Sequence, residues 1–256
     1  MGLLDRLFGA RDAHAEPRGI RTKGLPTSSN RASSMHLRWD LGPARVELVE
    51  VAATLTIVEP PVVPRLYFWA LQASFASGNR HEGAGHVGLQ WHPGHPGSTA
   101  VNWGGYAAGG GELAGSASAF PSAMGNANTR DFVWEPGRPY RLGIRRGGAG
   151  WEGLVDGVVV RSLRATGDRL TDSICWSEVF AACDDPSVTV RWSDLAAVTA
   201  DGRSVQPRAV TLSYQEWERG GCTNTSSELD GDGGVVQRTN TERRLSHGTV
   251  VPMTEP

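Results

Sequence analysis

Residues 66–75 read LYFWALQASF, and this stretch decides the fold. Tyr67, Trp69, Leu71, Ala73 and Phe75 share one side of an extended chain. Leu66, Phe68 and Ala70 share the other, so both faces of this strand are apolar and both are expected to be covered. The period of two recurs outward in both directions. VELVEVAATLTIVE alternates with a phase slip between Leu48 and Val51, which predicts a bulge. PYRLGIRR alternates Tyr140, Leu142 and Ile144 against Arg141 and Arg145. WEGLVDGVVVRSL reads as a hairpin, because Asp156-Gly157 suits a two-residue turn whose central positions both need positive φ. SICWSEVFA, SVTVRWSDLAAV and RAVTLSYQEW supply three further strands. With 33 Gly and 15 Pro, turns are frequent and long helices are disfavoured. About ten strands with turn-rich connections predict an all-β fold: a two-sheet antiparallel β-sandwich of jelly-roll type.

Residues 1–34 read as a flexible arm and 35–256 as one sandwich domain with a loop-rich C-terminal extension. The arm is polar, with Pro17 and Pro26; Leu3, Leu4, Leu7 and Phe8 gather on a turn too short to be a stable helix alone. The first 17 residues lack a clean apolar run, since Asp5 and Arg6 interrupt it, although Ala13-His14-Ala15 resembles a cleavage site. The chain as it stands is expected in the cytoplasm, and at the cell surface or outside if the true start lies upstream. No stretch reaches the length of a spanning helix, so stable membrane insertion is not expected. Net charge is −2, and Lys23 is the one lysine among mostly arginine cations. That balance gives no reason to expect nucleic acid as a partner. Cys175, Cys183 and Cys222 form no CxxC pair. Free thiols are one reading; one disulfide with a spare thiol is the other, Cys175 and Cys183 being nearest in sequence.

Four features together resemble the concanavalin A-like lectin/glucanase superfamily: YFWALQASF, the glycine-flanked GHVGLQ, the pair ending YRLGIRRGGAGWEGLVDGVVV, and the later WSEVF…VTVRWSDL. The ending YQEWERGGCTNTSS…GVVQRTNTERR is similar to an actinobacterial domain-of-unknown-function family within that architecture. The resemblance covers roughly residues 35–245. It implies a sandwich that hosts lectins, glycosidases, lyases and adhesive modules, so it leaves function open. A retaining glucanase of this architecture carries E-x-D-x-x-E or E-x-D-x-E on one strand face. That pattern is absent here. Glu152 and Asp156 share a face, but Asp156 opens the DG turn.

Candidate site residues come from HVGLQWHPGHPGSTAVNWGGY, residues 86–106. His86, Gln90 and His92 fall on one strand face, and the next strand brings Asn102. Amides and imidazoles bind hydroxyls, and an indole stacks on a sugar ring. With Trp103 or Trp134 as the aromatic, these residues are expected to border a groove for a carbohydrate or cell-envelope glycan. The function expected is therefore a non-catalytic glycan-binding module. The alternatives are a glycan-active hydrolase or lyase with a non-standard acid site, and a protein-interaction module. Glu178 is the candidate acid: it alternates with Ile174, Trp176 and Phe180 on an apolar face and needs a partner, Arg191 or Arg145. A zinc reading would use His86, His92 and His95, perhaps with His81. But His92-Pro93-Gly94-His95 is a turn and the one nearby carboxylate is Glu82, so no metal is expected, nor any other cofactor. LDGDGG matches half a calcium loop and lacks its later ligands. Cys222 has only His247 as a base on its side of the chain.

Overall fold

The structure, a computed structural model, describes residues 21–42, 47–122 and 124–253. The turn of residues 3–8 and most of the arm lie outside the described residues. The remainder is an antiparallel β-sandwich, with two single-turn 3-10 segments as the only helical elements among the described residues. No described helix is long and apolar enough to cross a membrane.

The first sheet runs β16 (Val250–Pro252), β13 (Ala209–Tyr214), β1 (Ser33–Asp40), β10 (Arg169–Val179), β3 (Tyr67–Ser77), β4 (Arg80–Trp91), β5 (Thr99–Ala107) and β6 (Thr129–Asp131). The second runs β14 (Thr225–Leu229), β15 (Val235–Thr239), β11 (Thr189–Thr199), β2 (Leu48–Glu59), β7 (Pro139–Gly147), β8 (Gly150–Val155) and β9 (Val158–Leu163), with β12 (Ser204–Val205) on the far part of β11. A single residue pair, Leu170 with Leu48, joins β10 to β2 and stitches the sheets into one hydrogen-bonded network.

The predicted local features have physical counterparts. Val49 is skipped where Val198 pairs Glu50 and Thr199 pairs Leu48, which is the bulge that the phase slip in β2 requires. Asp156 and Gly157 both hold positive φ, at 49° and 78°, between the paired Val155 and Val158.

The core lies between the sheets. Tyr67, Trp69, Leu71 and Phe75 of β3 meet Leu55, Ile57, Tyr140, Leu142 and Trp151 of the second sheet. Phe75 stacks on Trp151 with ring centroids 5.2 Å apart. Trp103 is fully buried against the second sheet, and a side chain at Gly153 would meet its indole at 2.3 Å. One polar cluster crosses the core: Ser177 donates to Gln237 Oε1 at 2.6 Å, and Trp192 Nε1 donates to the same oxygen at 3.1 Å. These partners keep the buried amide satisfied.

Two expectations change. Residues 21–32 are not a loose arm. Thr22 exchanges hydrogen bonds with Thr223, Thr27 N–H bonds Gly220 O at 3.0 Å, and Cys183 N–H bonds Gly24 O at 2.8 Å. Their polar composition serves hydrogen bonding to the sandwich rather than solvation. The disulfide joins Cys183 to Cys222, whose Cα atoms are 5.5 Å apart, while Cys175 is a buried free thiol. Sequence proximity to Cys183 misleads because Cys175 points into the core from β10.

Candidate functional site

The register places the side chains of the first sheet on a grid. On its inner face, Leu212, Leu37, Cys175, Leu71, Val87 and Trp103 form one row across β13, β1, β10, β3, β4 and β5. All belong to the core. The outer face carries three successive rows. The first is Ser34, Glu178, Phe68, Gln90, Ala100; the second is Ser213, His36, Trp176, Ala70, Gly88, Asn102; the third is Arg38, Ile174, Gln72, His86, Gly104. Successive side chains on a strand alternate faces, so everything in these three rows points away from the core.

A groove of about 520 Å³ lies over this outer face. Its floor is a small apolar cluster separate from the main core, formed by Phe68, Ala70, Ile174 and Trp176. The small residues of the middle row, Ala70 and Gly88, leave room beside the Trp176 indole. That indole meets Phe68 edge-on at 4.8 Å and His86 at 5.8 Å. Tyr106, Ala107, Glu112, Asn126 and Asn128 make one wall. There Asn128 donates to Glu112, and its carbonyl oxygen accepts from the buried Arg161 guanidinium at 2.9 Å. Asn30 and Gln215 stand on the other side.

Glu178 sits half-buried in this groove. Burial pushes its carboxyl up to about 7, with one hydrogen bond, from Asn30 Nδ2 at 2.7 Å, working against that rise. The expected arginine partners are elsewhere. Arg145 pairs Glu152 at 2.9 Å, and Arg191 pairs Asp230; both arginines belong to the second sheet. Asp230 is further committed, since its Oδ1 accepts from Asp232 N–H and Gly234 N–H at 2.8 Å each, closing the DGDGG loop on itself. His86 and His36 are both held down to about 4, chiefly by burial; for His36 the positive fields of Arg38 and His247 add to it. Between those values the neutral form of each of these three groups predominates.

Among the buried polar atoms of the groove, the donor Trp176 Nε1 and the acceptor Asn102 Oδ1 have no hydrogen-bond partner among the described residues. The other end of the Asn102 amide is used, donating to Thr129 Oγ1 at 2.8 Å. Unfilled donors and acceptors beside an apolar floor are what a polymer carrying amides or hydroxyls can satisfy.

Of the residues expected at the site, His86 and Asn102 line the groove. Gln90 shares its face and the row of Glu178, beyond the groove lining. His92 falls past the end of β4, in the turn, where its Nδ1 accepts from Gly94 N–H at 3.0 Å and its ring meets His95 edge-on. The chain reverses there, so strand alternation no longer applies, and His92 and His95 do not converge with His86. Trp103 and Trp134 are core residues, at 0% and 3% exposure. Trp134 packs edge-on against Trp69 and donates to the Gln90 carbonyl at 3.0 Å. The indole of the groove is Trp176. Its alternation with Glu178 was a usable signal; Asn30 and Gln72 gave none. Cys222, bonded to Cys183, is no nucleophile.

No family model and no curated protein matches this chain. Among solved structures, Scytalido-glutamic peptidase with a peptide-based transition-state analogue aligns at 11% identity and TM-score 0.42, over 86% of this chain and 100% of its own. SCP-B, a member of the eqolisin family of peptidases in complex with the tripeptide Ala-Ile-His, aligns at 9% and 0.41, over 86% and 100%. The kappa-carrageenase from Pseudoalteromonas carrageenovora with an oligotetrasaccharide aligns at 10% and 0.32, over 86% and 84%. The likeness is one of β-sandwich architecture. All three proteins are enzymes, and on that finding the expectation of a non-catalytic binding module is withdrawn.

Proposed function

We propose that this chain is a hydrolase of extended polymers in which Glu178 is the group that moves the proton. One observation carries the reading: a carboxyl held near neutrality in an apolar-floored groove, with an amide and no cation as its partner. A group whose pKa sits near the working pH is populated in both forms, as general acid–base catalysis needs. Ionised Glu178 takes a proton from water as the water oxygen attacks a carbonyl carbon. The same carboxyl then returns that proton to the departing nitrogen. His86, Asn102 and Trp176 are assigned to substrate binding.

The peptide bond is the favoured target because one carboxyl suffices for it. Cleavage of a glycosidic bond by two carboxyl groups calls for a separation of about 5–9.5 Å. Glu112, the other carboxylate lining the groove, is bridged to Tyr106 of β5, at least three strand spacings from β10. Along the sheet that sets their backbones roughly 14 Å or more apart, so the two carboxyls come within that range only if both side chains reach toward each other. A second reading, a glycan lyase or hydrolase, is favoured by the gathering of an imidazole, an amide and an indole face at His86, Asn102 and Trp176. The Cys183–Cys222 bridge fits an oxidising compartment and supports a secreted or cell-surface setting.

The test is incubation with unfolded protein and, separately, with a panel of oligosaccharides from pH 3 to 8, with products read by mass spectrometry. Peptide cleavage by the parent and a loss of about 10²-fold or more in Glu178→Gln are expected. Equal turnover by the two proteins would remove Glu178 from the chemistry. Cleavage of sugars alone would select the second reading.

A further inference from the structure

We propose that Asn30 is a positioning residue that assigns the proton of Glu178 to Oε2, the carboxyl oxygen Asn30 does not touch. This rests on the reading of Glu178 as the proton-moving group. The geometry fixes which end of the Asn30 amide faces the carboxyl. Asn30 Oδ1 accepts from the Ala32 N–H at 3.2 Å and lies 2.9 Å from the Ser28 hydroxyl. A backbone N–H can only donate, so the atom beside it is the carbonyl oxygen, and Nδ2 is left to face Glu178 Oε1 at 2.7 Å. Nδ2 in turn can only donate. Oε1 is therefore held as an acceptor, and the acid proton resides on Oε2.

The turn that presents Asn30 is built to hold it. Arg31 N–H closes on Ser28 O at 2.9 Å, and Arg31 takes the left-handed conformation at φ 61°. The buried Ser28 hydroxyl accepts from Ala32 N–H at 3.0 Å. The turn is anchored from below, because Thr27 N–H bonds Gly220 O and Cys222 N–H bonds Ser33 Oγ at 2.9 Å, next to the disulfide. The other titratable groups lining the groove with Glu178 are His36 on β1, His81 and His86 on β4, Tyr106 on β5 and Glu112, and an adjoining cleft that also contains Asn30 adds Glu216, Arg219 and His247. Glu216 and Arg219 pair with each other at 2.8 Å.

Asn30→Asp is the discriminating variant. It keeps Oδ1 for the Ala32 N–H, and hence the turn, but replaces the donor by a second acceptor. Protein carrying carboxyl-carbon-labelled glutamate is titrated by NMR, with the Glu178 signal identified by its loss in Glu178→Gln. The Glu178 midpoint should rise by at least about one pH unit in Asn30→Asp, since two facing carboxyls cannot both ionise freely. A smaller rise is expected in Asn30→Ala, which removes the donor without adding charge and serves if the Asp variant does not fold. The corresponding limb of the pH–rate profile should move with the midpoint. Midpoints unchanged in both variants would overturn the assignment. The shift appearing in a protein that cleaves nothing would uphold Asn30 and remove the hydrolase reading.

Discussion

The two faces of the first sheet are made by the same strands, one residue out of phase, and they differ in what covers them. On the inner face of β10, Ser177 is buried and spent on Gln237, which also accepts from Trp192. On the outer face, one position away, Glu178 has a single amide partner and a carboxyl pushed up to about 7. Both faces bury apolar side chains, the outer one those of Phe68, Ala70, Ile174 and Trp176. The inner face is closed by a second sheet. The outer face is closed over Phe68 and Trp176 only by its own small cluster, and it leaves a donor and an acceptor without partners. Burial alone therefore does not separate core from site. The open cavity above the outer face does, with the acid that borders it, since the core also holds the Trp103 and Trp151 Nε1 donors without hydrogen-bond partners among the described residues.

Truncating three aromatic residues breaks this comparison into graded effects. Trp103→Ala removes an indole wedged between the sheets and should cost about 3–5 kcal/mol, read by denaturant melts. Trp176→Ala takes a side chain of similar size from the groove floor, where it is 8% exposed and walled by the sheet on one side only. It should cost roughly 1–3 kcal/mol and weaken substrate binding. His92→Ala removes a turn hydrogen bond outside the groove and should cost under about 1 kcal/mol, with turnover unchanged. Equal losses for Trp103→Ala and Trp176→Ala would mean that the two faces are one core and that the groove is packing.

Strand alternation made much of this legible. It placed Tyr67, Trp69 and Phe75 on one face, Ile174, Trp176 and Glu178 on another, and it marked the bulge and the DG turn. The limits came where alternation stops being informative. Whether Asn102 or Trp103 joins His86 depends on the register of β5 against β4. The turn of residues 92–98 sets that register, and pairing Gly88 with Asn102 turns Trp103 inward. Trp134 reaches the core from a segment with no strand pattern. The partner of Glu178 lies 148 residues away in a polar stretch that composition assigned to a loose arm. Arg145 and Arg191, chosen for charge, fail because both are carried by the second sheet.

The raised carboxyl of Glu178 is read most directly from the stability of the parent relative to Glu178→Gln across pH 4 to 9. The folded carboxyl is raised above its ordinary value of 4.5 to about 7, so between those values the folded state binds more protons than the unfolded state. The stabilising contribution of the acid is then complete below pH 4.5 and is lost as pH rises through 7. The other carboxylates are common to both proteins and cancel in the difference. Glu178→Gln should gain on the parent from pH 4.5 to 7, by about 3 kcal/mol at most, with the gap constant above. A gap that stays flat across the range would show that Glu178 titrates as an ordinary surface acid and would remove it as the proton-moving group of the groove.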